Sequence, residues 1–286
     1  MVRILPAQRV AEHRSGAKND RNDAYAILRA GRDIGIKAVP VKSSQALAMQ
    51  ALHRIRQGYV RRKTAVSNQM RGLLLEHDIA LAKGDGAIMQ WIPKIIRDAS
   101  RPVPELLRDL LAELLAELEH LSMRIEAMNG KLRVSAREDP KARQLMTVRG
   151  IGPVISTALL AKQTEPERFA NARQFAAYFG SVPDQHSSGQ KVRLGKMSKR
   201  GDAYLRSMMI EGAHAVLKHV SPNSQDSDDK RLLHWLHRHG RKGAAIRLAN
   251  RNFRIAWVLL QNDQNYSRNP NRQTEVSESK EVDMHS

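Results

Sequence analysis

The segment His186-Ser187-Ser188-Gly189-Gln190-Lys191-Val192-Arg193-Leu194-Gly195-Lys196-Met197-Ser198-Lys199-Arg200-Gly201-Asp202 sets two hydroxyls before a glycine. Five cations follow, with no acid until Asp202. A serine hydroxyl beside dense positive charge suits attack on phosphorus, because cations stabilise the charge that develops there. A serine is a weak nucleophile unless a base activates it, and the sequence supplies no certain base. His186 is adjacent in the chain, but chain neighbours rarely face each other. From composition alone, a solvated basic loop capped with serines is the better reading.

A second pattern is Val148-Arg149-Gly150-Ile151-Gly152-Pro153, with helical sequence on either side. It matches the hairpin of helix-hairpin-helix DNA binders. Two glycines remove side chains, so a phosphate can approach backbone N–H groups at a helix N-terminus. Pro153 fits the first turn of the following helix. A glycine-rich turn between packed helices would need no ligand, and the pattern alone leaves both readings open.

A third pattern is Lys18-Asn19-Asp20-Arg21-Asn22-Asp23. Asp20 and Asp23 share a helix face, and two carboxylates on one face can bind Mg²⁺, which prefers oxygen ligands. Helix capping explains the same residues: Asn19 or Asp20 is a good N-cap, and first-turn acids complement the helix dipole. Taken alone, this pattern favours capping. His234, His237 and His239 are poorly spaced for a single-face metal site, and Trp235 and Trp257 read as core.

The elements that must position these residues are mainly helical. Val2–Leu5 and Ile36–Val39 read as short extended pieces around a helix that starts near Asn19 or Asp20. A long helix spans Ser43 to about Asp78, and Lys83 to Pro104 reads as loop-rich. Leu107, Leu110, Leu114, Leu118, Leu121, Ile125 and Met128 then step by three or four, a heptad-like seam on a helix running to about Glu138. The two long helices form an antiparallel hairpin or pair with another subunit. Pro140 to Tyr266 is a compact helical unit, with a loop or hairpin over 182–199. Residues 267–286 are polar and aperiodic, and read as a disordered tail.

Composition narrows the partners. The 286 residues carry a formal net charge of +19 at a sequence pI of ≈ 10.6, an excess that attracts polyanions and steers their approach. There are no cysteines, which excludes disulfides and thiolate metal sites. No apolar run is long enough to span a membrane, and no secretory pattern opens the chain, so a cytoplasmic location with no membrane partner is expected.

Taken together, the chain resembles the DEDD transposases of the insertion-sequence-one-ten family, relatives of the Piv DNA invertase. The carriers are Lys18-Asn-Asp-Arg-Asn-Asp23, Arg71-Gly-Leu-Leu-Leu-Glu76, Arg149-Gly-Ile-Gly-Pro153, Phe175-Ala-Ala-Tyr-Phe-Gly180, His186-Ser-Ser-Gly189 and Ser198-Lys-Arg-Gly-Asp202, followed by Tyr204-Leu-Arg206. The resemblance runs from about Val2 to Tyr266.

The resemblance implies a remnant of an RuvC-like α/β domain over 1–40, a helical coiled-coil stalk over 41–139 and a serine-containing transposase domain over 140–266. It implies that Asp20 and Asp23 are the last two of four Mg²⁺-binding carboxylates. It implies that Ser188, with Ser187 as the alternative, attacks a DNA phosphodiester and holds the strand covalently. Gly150, Gly152, Lys191, Arg193, Lys196, Lys199, Arg200 and Arg206 form the expected nucleic-acid contact. The implied partners are DNA, an element-encoded bridge RNA and further copies of the chain joined through the coiled coil. The family's first Asp and its Glu lie upstream of the motif matched by Asp20 and Asp23. Only 19 residues precede Asp20 here, and Glu12 is their one acid. The expectation is a truncated transposase that retains nucleic-acid binding and loses most strand cleavage. The alternative is a non-enzymatic DNA- or RNA-binding protein that uses the same hairpin and loop.

Overall fold

The computed structural model describes residues 3–36, 38–98, 100–162, 165–185, 194–262 and 265–267. The expected disordered tail lies almost wholly outside them. The described chain is mainly α-helical, as the periodicity predicts.

The N-terminal segment holds α1 (Ala7–Glu12) and α2 (Asp20–Arg32). The two extended pieces meet at one isolated antiparallel bridge, Ile4 to Val39, and Arg3 donates to the Ile36 carbonyl at 3.4 Å. Asn19 caps α2, its side chain accepting from the Asn22 N–H at 2.8 Å. Ser43 caps α3 (Ser44–Leu75) in the same way. Each cap satisfies an amide that the first helical turn leaves unpaired.

Helix α3 pairs with α5 (Glu105–Glu138). They run antiparallel: Arg56, early in the contact, donates to Asn129 at 2.6 Å, whereas Met70 and Leu74 share a core with Leu111 and Leu118. The stretch read as a loop contains α4 (Asp85–Arg97), with Pro93 inside it. Ile88, Ile92 and Ile95 recur at helical spacing and are fully buried in the same core. That burial outweighs the backbone bond a mid-helix proline removes. Because α5 packs on both α3 and α4, its buried stripe keeps most of the expected seam and widens to take in Leu111. Leu111, Leu118 and Leu121 are buried, while Leu110 is 44% exposed.

A second core organises the C-terminal unit. It contains α6 (Pro140–Met146), α7 (Pro153–Ala161), α8 (Ala172–Tyr178), α9 (Ala203–Lys218) and α10 (Ser227–Gln261). Asp139, Asn171, Asp202 and Asp226 cap four of these helices. Gly240, at φ +64°, breaks α10 into two helical halves. Phe179 stacks on Phe253 with ring centroids 4.8 Å apart, joining the end of α8 to α10. Two short antiparallel strands, β1 (Pro183–Gln185) and β2 (Leu194–Met197), project between α8 and α9. Among the described residues no helix is long and apolar enough to cross a membrane.

Candidate nucleic-acid interface

The β1–β2 hairpin is anchored by an interlock of two glycines. Gly180 has φ +68° and Gly201 has φ +86°, a region that favours glycine. A Cβ on Gly180 would overlap the Arg200 carbonyl, and one on Gly201 would overlap the Tyr178 carbonyl. The Phe175–Gly180 and Ser198–Asp202 motifs are therefore two strands of backbone crossing in contact. Arg206 locks the crossing. Its guanidinium donates to the Phe179 carbonyl at 3.0 Å and the Arg200 carbonyl at 3.2 Å. At 8% exposure it is turned inward, so the structure places this expected phosphate contact in the scaffold instead.

Asp202 completes the base of the hairpin. It caps α9 by accepting from Leu205 N–H at 2.9 Å, and it pairs with Lys162. Burial acts to raise its carboxyl, but the Lys162 hydrogen bond, the Leu205 amide and the Lys162 charge hold it below the usual carboxylate range. Lys199 (φ +55°) and Arg200 stay exposed beside this point. Arg200 lies 4.0 Å from Asp184, at the outer limit of an ion pair. Ser187, Ser188, Lys191 and Arg193 lie outside the described residues, and for Lys196 only its place in β2 is described.

The Gly150 turn is committed to packing on one side and open on the other. Gly150 has φ +88°, and a Cβ there would stand 3.0 Å from the Gly212 carbonyl oxygen. Arg149 pairs with Asp229, and the Asn252 amide donates to its carbonyl at 2.9 Å. Gly152, by contrast, precedes α7 with open space around it. Of the two glycines, only Gly152 leaves the unobstructed approach a phosphate needs.

A buried polar chain joins this unit to α3. The Thr157 hydroxyl donates to the Pro153 carbonyl at 2.6 Å. It therefore accepts from His53 Nε2 at 3.1 Å, which leaves His53 Nδ1 to accept from the Tyr204 hydroxyl at 3.0 Å. Desolvation first, and then Arg56 and Lys162, push the His53 imidazole down to about 4. His53 is thus a neutral structural bridge, which the sequence reading did not single out.

Asp20 and Asp23 occupy the first turn of α2. Asp23 pairs with Arg14 at 2.7 Å, and no group of three or more metal-capable acids or histidines occurs among the described residues. Two carboxylates, one already matched by a guanidinium, do not by themselves fit a Mg²⁺ site.

A basic cleft is a second feature that no motif in the sequence marks. It lies between α8, the start of β1 and both halves of α10, with a volume of ≈ 1420 Å³. Arg173, Arg247 and Arg254 line it and are exposed. None of the three makes an ion pair among the described residues. Its only sequence signal is the helical spacing of Arg247, Arg251, Arg254 and Val258 on one face after Gly240.

Two family models match this chain. One, described as transposase of the IS116/IS110/IS902 family, covers residues 142–228. The other, described as transposase, covers residues 1–79. A probable family 20 transposase of Pseudomonas aeruginosa is 39% identical over 93% of this chain and 78% of its own length. The chain belongs to the IS110 family of transposases. The transposase for insertion sequence element IS1111A of Coxiella burnetii is 32% identical over 93% of this chain and 72% of its own length. That for IS1328 of Yersinia enterocolitica is 32% identical over 90% and 76% respectively. The first family model spans the Gly150 turn, the glycine interlock and the hairpin of this transposase together. The second takes in Asn19, Asp20, Asp23 and the whole of α3.

Proposed function

We propose that this insertion-sequence transposase joins DNA through a serine ester, with Ser188 as nucleophile and Ser187 as the alternative. In that step the Ser188 oxygen attacks phosphorus and forms a P–O bond. The bond from phosphorus to the leaving deoxyribose oxygen breaks, and the leaving hydroxyl takes the proton. Attack by a second strand's hydroxyl reverses the chemistry and joins the new ends, returning the serine its proton. Lys199 and Arg200 stand beside the hairpin base, where they can balance charge on the phosphate oxygens. The observation that carries this reading is the Gly180–Gly201 interlock. Two glycines in the left-handed region and a buried arginine fix the base of the hairpin.

No step is routed through a metal, since Asp20 and Asp23 alone do not fit one. The protein is read as binding DNA and a structured element-encoded RNA. Self-association through the α3–α5 pair belongs to the same reading. The RuvC-like, stalk and serine-bearing segments of the family are the framework in which 1–40, 41–139 and 140–266 would act. The test incubates the intact protein with labelled DNA of its element ends and looks for a covalent adduct on a denaturing gel. An adduct lost in Ser188→Ala, with DNA binding unchanged, supports the serine. If cleavage persists in both Ser188→Ala and Ser187→Ala, the serine chemistry is overturned.

A further inference from the structure

The cleft beside the hairpin has a composition that duplex binding does not require. Its rim is cationic: Arg173, Arg247 and Arg254 are exposed and unpaired among the described residues. Its floor is apolar: Trp235, Ile246, Ile255 and Val258 line it, and Ile246 and Val258 remain 36% and 44% exposed. No acid lines it. A phosphate backbone neutralises the rim but cannot desolvate the floor. Bases of a duplex are stacked and hidden, whereas those of an open strand offer apolar faces to an aromatic surface. The volume of ≈ 1420 Å³ exceeds that of an ordinary small-molecule pocket, about 300–1000 Å³.

One further observation agrees with an anionic ligand. The His239 imidazole on the rim is pushed down by desolvation and then by Arg247, Arg238 and His234, as a strongly positive surface requires.

We infer that the cleft between α8 and α10 binds single-stranded nucleic acid, with bases on the Trp235–Val258 floor and phosphates on Arg173, Arg247 and Arg254. This rests on the transposase reading above and adds the state of its substrate. Cleft and hairpin are contiguous, because Ser181, Val182 and Pro183 belong to the cleft wall and β1 begins at Pro183. An opened strand lying in the cleft would thus lead toward the hairpin.

The test measures anisotropy of a labelled oligonucleotide, single-stranded and as duplex, with the full chain over a range of salt. Arg173→Ala, Arg247→Ala and Arg254→Ala are combined. The control combines Arg32→Ala, Arg61→Ala and Arg97→Ala, which removes the same charge from exposed positions elsewhere. The cleft variant should lose at least tenfold in single-strand affinity, and its salt slope should fall by about 2, three contacts at about 0.7 each. The control should lose less than threefold. Quenching of tryptophan fluorescence by the strand should disappear in Trp235→Phe, which keeps the apolar packing. Arg254→Glu alone should weaken single-strand binding if the triple variant folds poorly. Equal losses in cleft and control variants would overturn the inference. So would a cleft variant impaired for duplex but not for single strand. Because binding is read without cleavage, these outcomes stand apart from failure of the serine chemistry.

Discussion

Gly150 and Gly212 touch backbone to backbone, since a Cβ on Gly212 would overlap the Gly150 carbonyl oxygen. Helix propensity alone would make Gly212→Ala stabilising by about 1 kcal/mol, because Gly212 lies inside α9. The contact reverses the sign. Gly212→Ala is expected to lose about 1–3 kcal/mol through overpacking, measured as a lower urea midpoint. Gly152→Ala has open space and should change stability by less than about 0.5 kcal/mol. A drop in DNA affinity in Gly152→Ala at unchanged stability would place a phosphate at that turn. Unchanged affinity would assign the whole motif to packing.

His53 gives the fold a pH dependence of known sign. Its folded value of about 4 lies below the ordinary 6.5. Between those values the unfolded chain takes up a proton that the folded chain does not. Stability from this group is therefore full above about pH 6.5, falls as pH drops, and is lost by about pH 4. The upper bound is about 3 kcal/mol. Urea unfolding at pH 7 and pH 4.5 should show this fall in the native protein. His53→Gln should be less stable at pH 7 and lose less on acidification.

Arg206 should behave as a scaffold residue. Its removal strands the Phe179 and Arg200 carbonyls at the glycine crossing, at about 1–3 kcal/mol for an unmet buried group. Arg206→Lys should restore only part, since an ammonium cannot match the planar fork of a guanidinium. The thermal midpoint distinguishes these outcomes. If Arg206→Ala is fully stable but binds DNA weakly, the side chain acts on nucleic acid after all.

Asp20 and Asp23 should respond weakly to metal. Millimolar Mg²⁺ is expected to leave the thermal midpoint of this chain unchanged, and Asp23→Asn should cost under about 1 kcal/mol from the half-exposed Arg14 pair. A midpoint raised by Mg²⁺ and restored to its metal-free value by Asp20→Asn would show that the two carboxylates do hold the ion.

Local signals in the sequence carried much of this fold. The caps at Asn19 and Ser43, the end of α5 at Glu138 and the turn before Pro153 all follow from side chains within a few residues. Helix α4 was hidden because Pro93 masks the Ile88, Ile92 and Ile95 spacing, and only their shared burial against α3 and α5 overrides it. The α5 seam held except at Leu110, and it widened because a third helix, α4, claims part of its face. Arg206 looked like a contact because charge is visible in sequence and burial is not. The α8–α10 cleft escaped for a different reason. Arg173 and Arg247 are far apart in the chain and come together only where α8 packs on α10.

The glycine interlock also bears on how this gene can change. Gly180 and Arg200 meet at one clamped neck, so the ends of the arm between them are fixed. Lengthening a closed segment is entropically mild, about 0.6 kcal/mol for each doubling. Insertions within that arm would be absorbed locally, without disturbing the packing of Phe179 on Phe253 below it. The neck therefore makes the arm an interchangeable part. New reach or sequence preference can be tried there by mutation or by design, while the body that carries it stays the same.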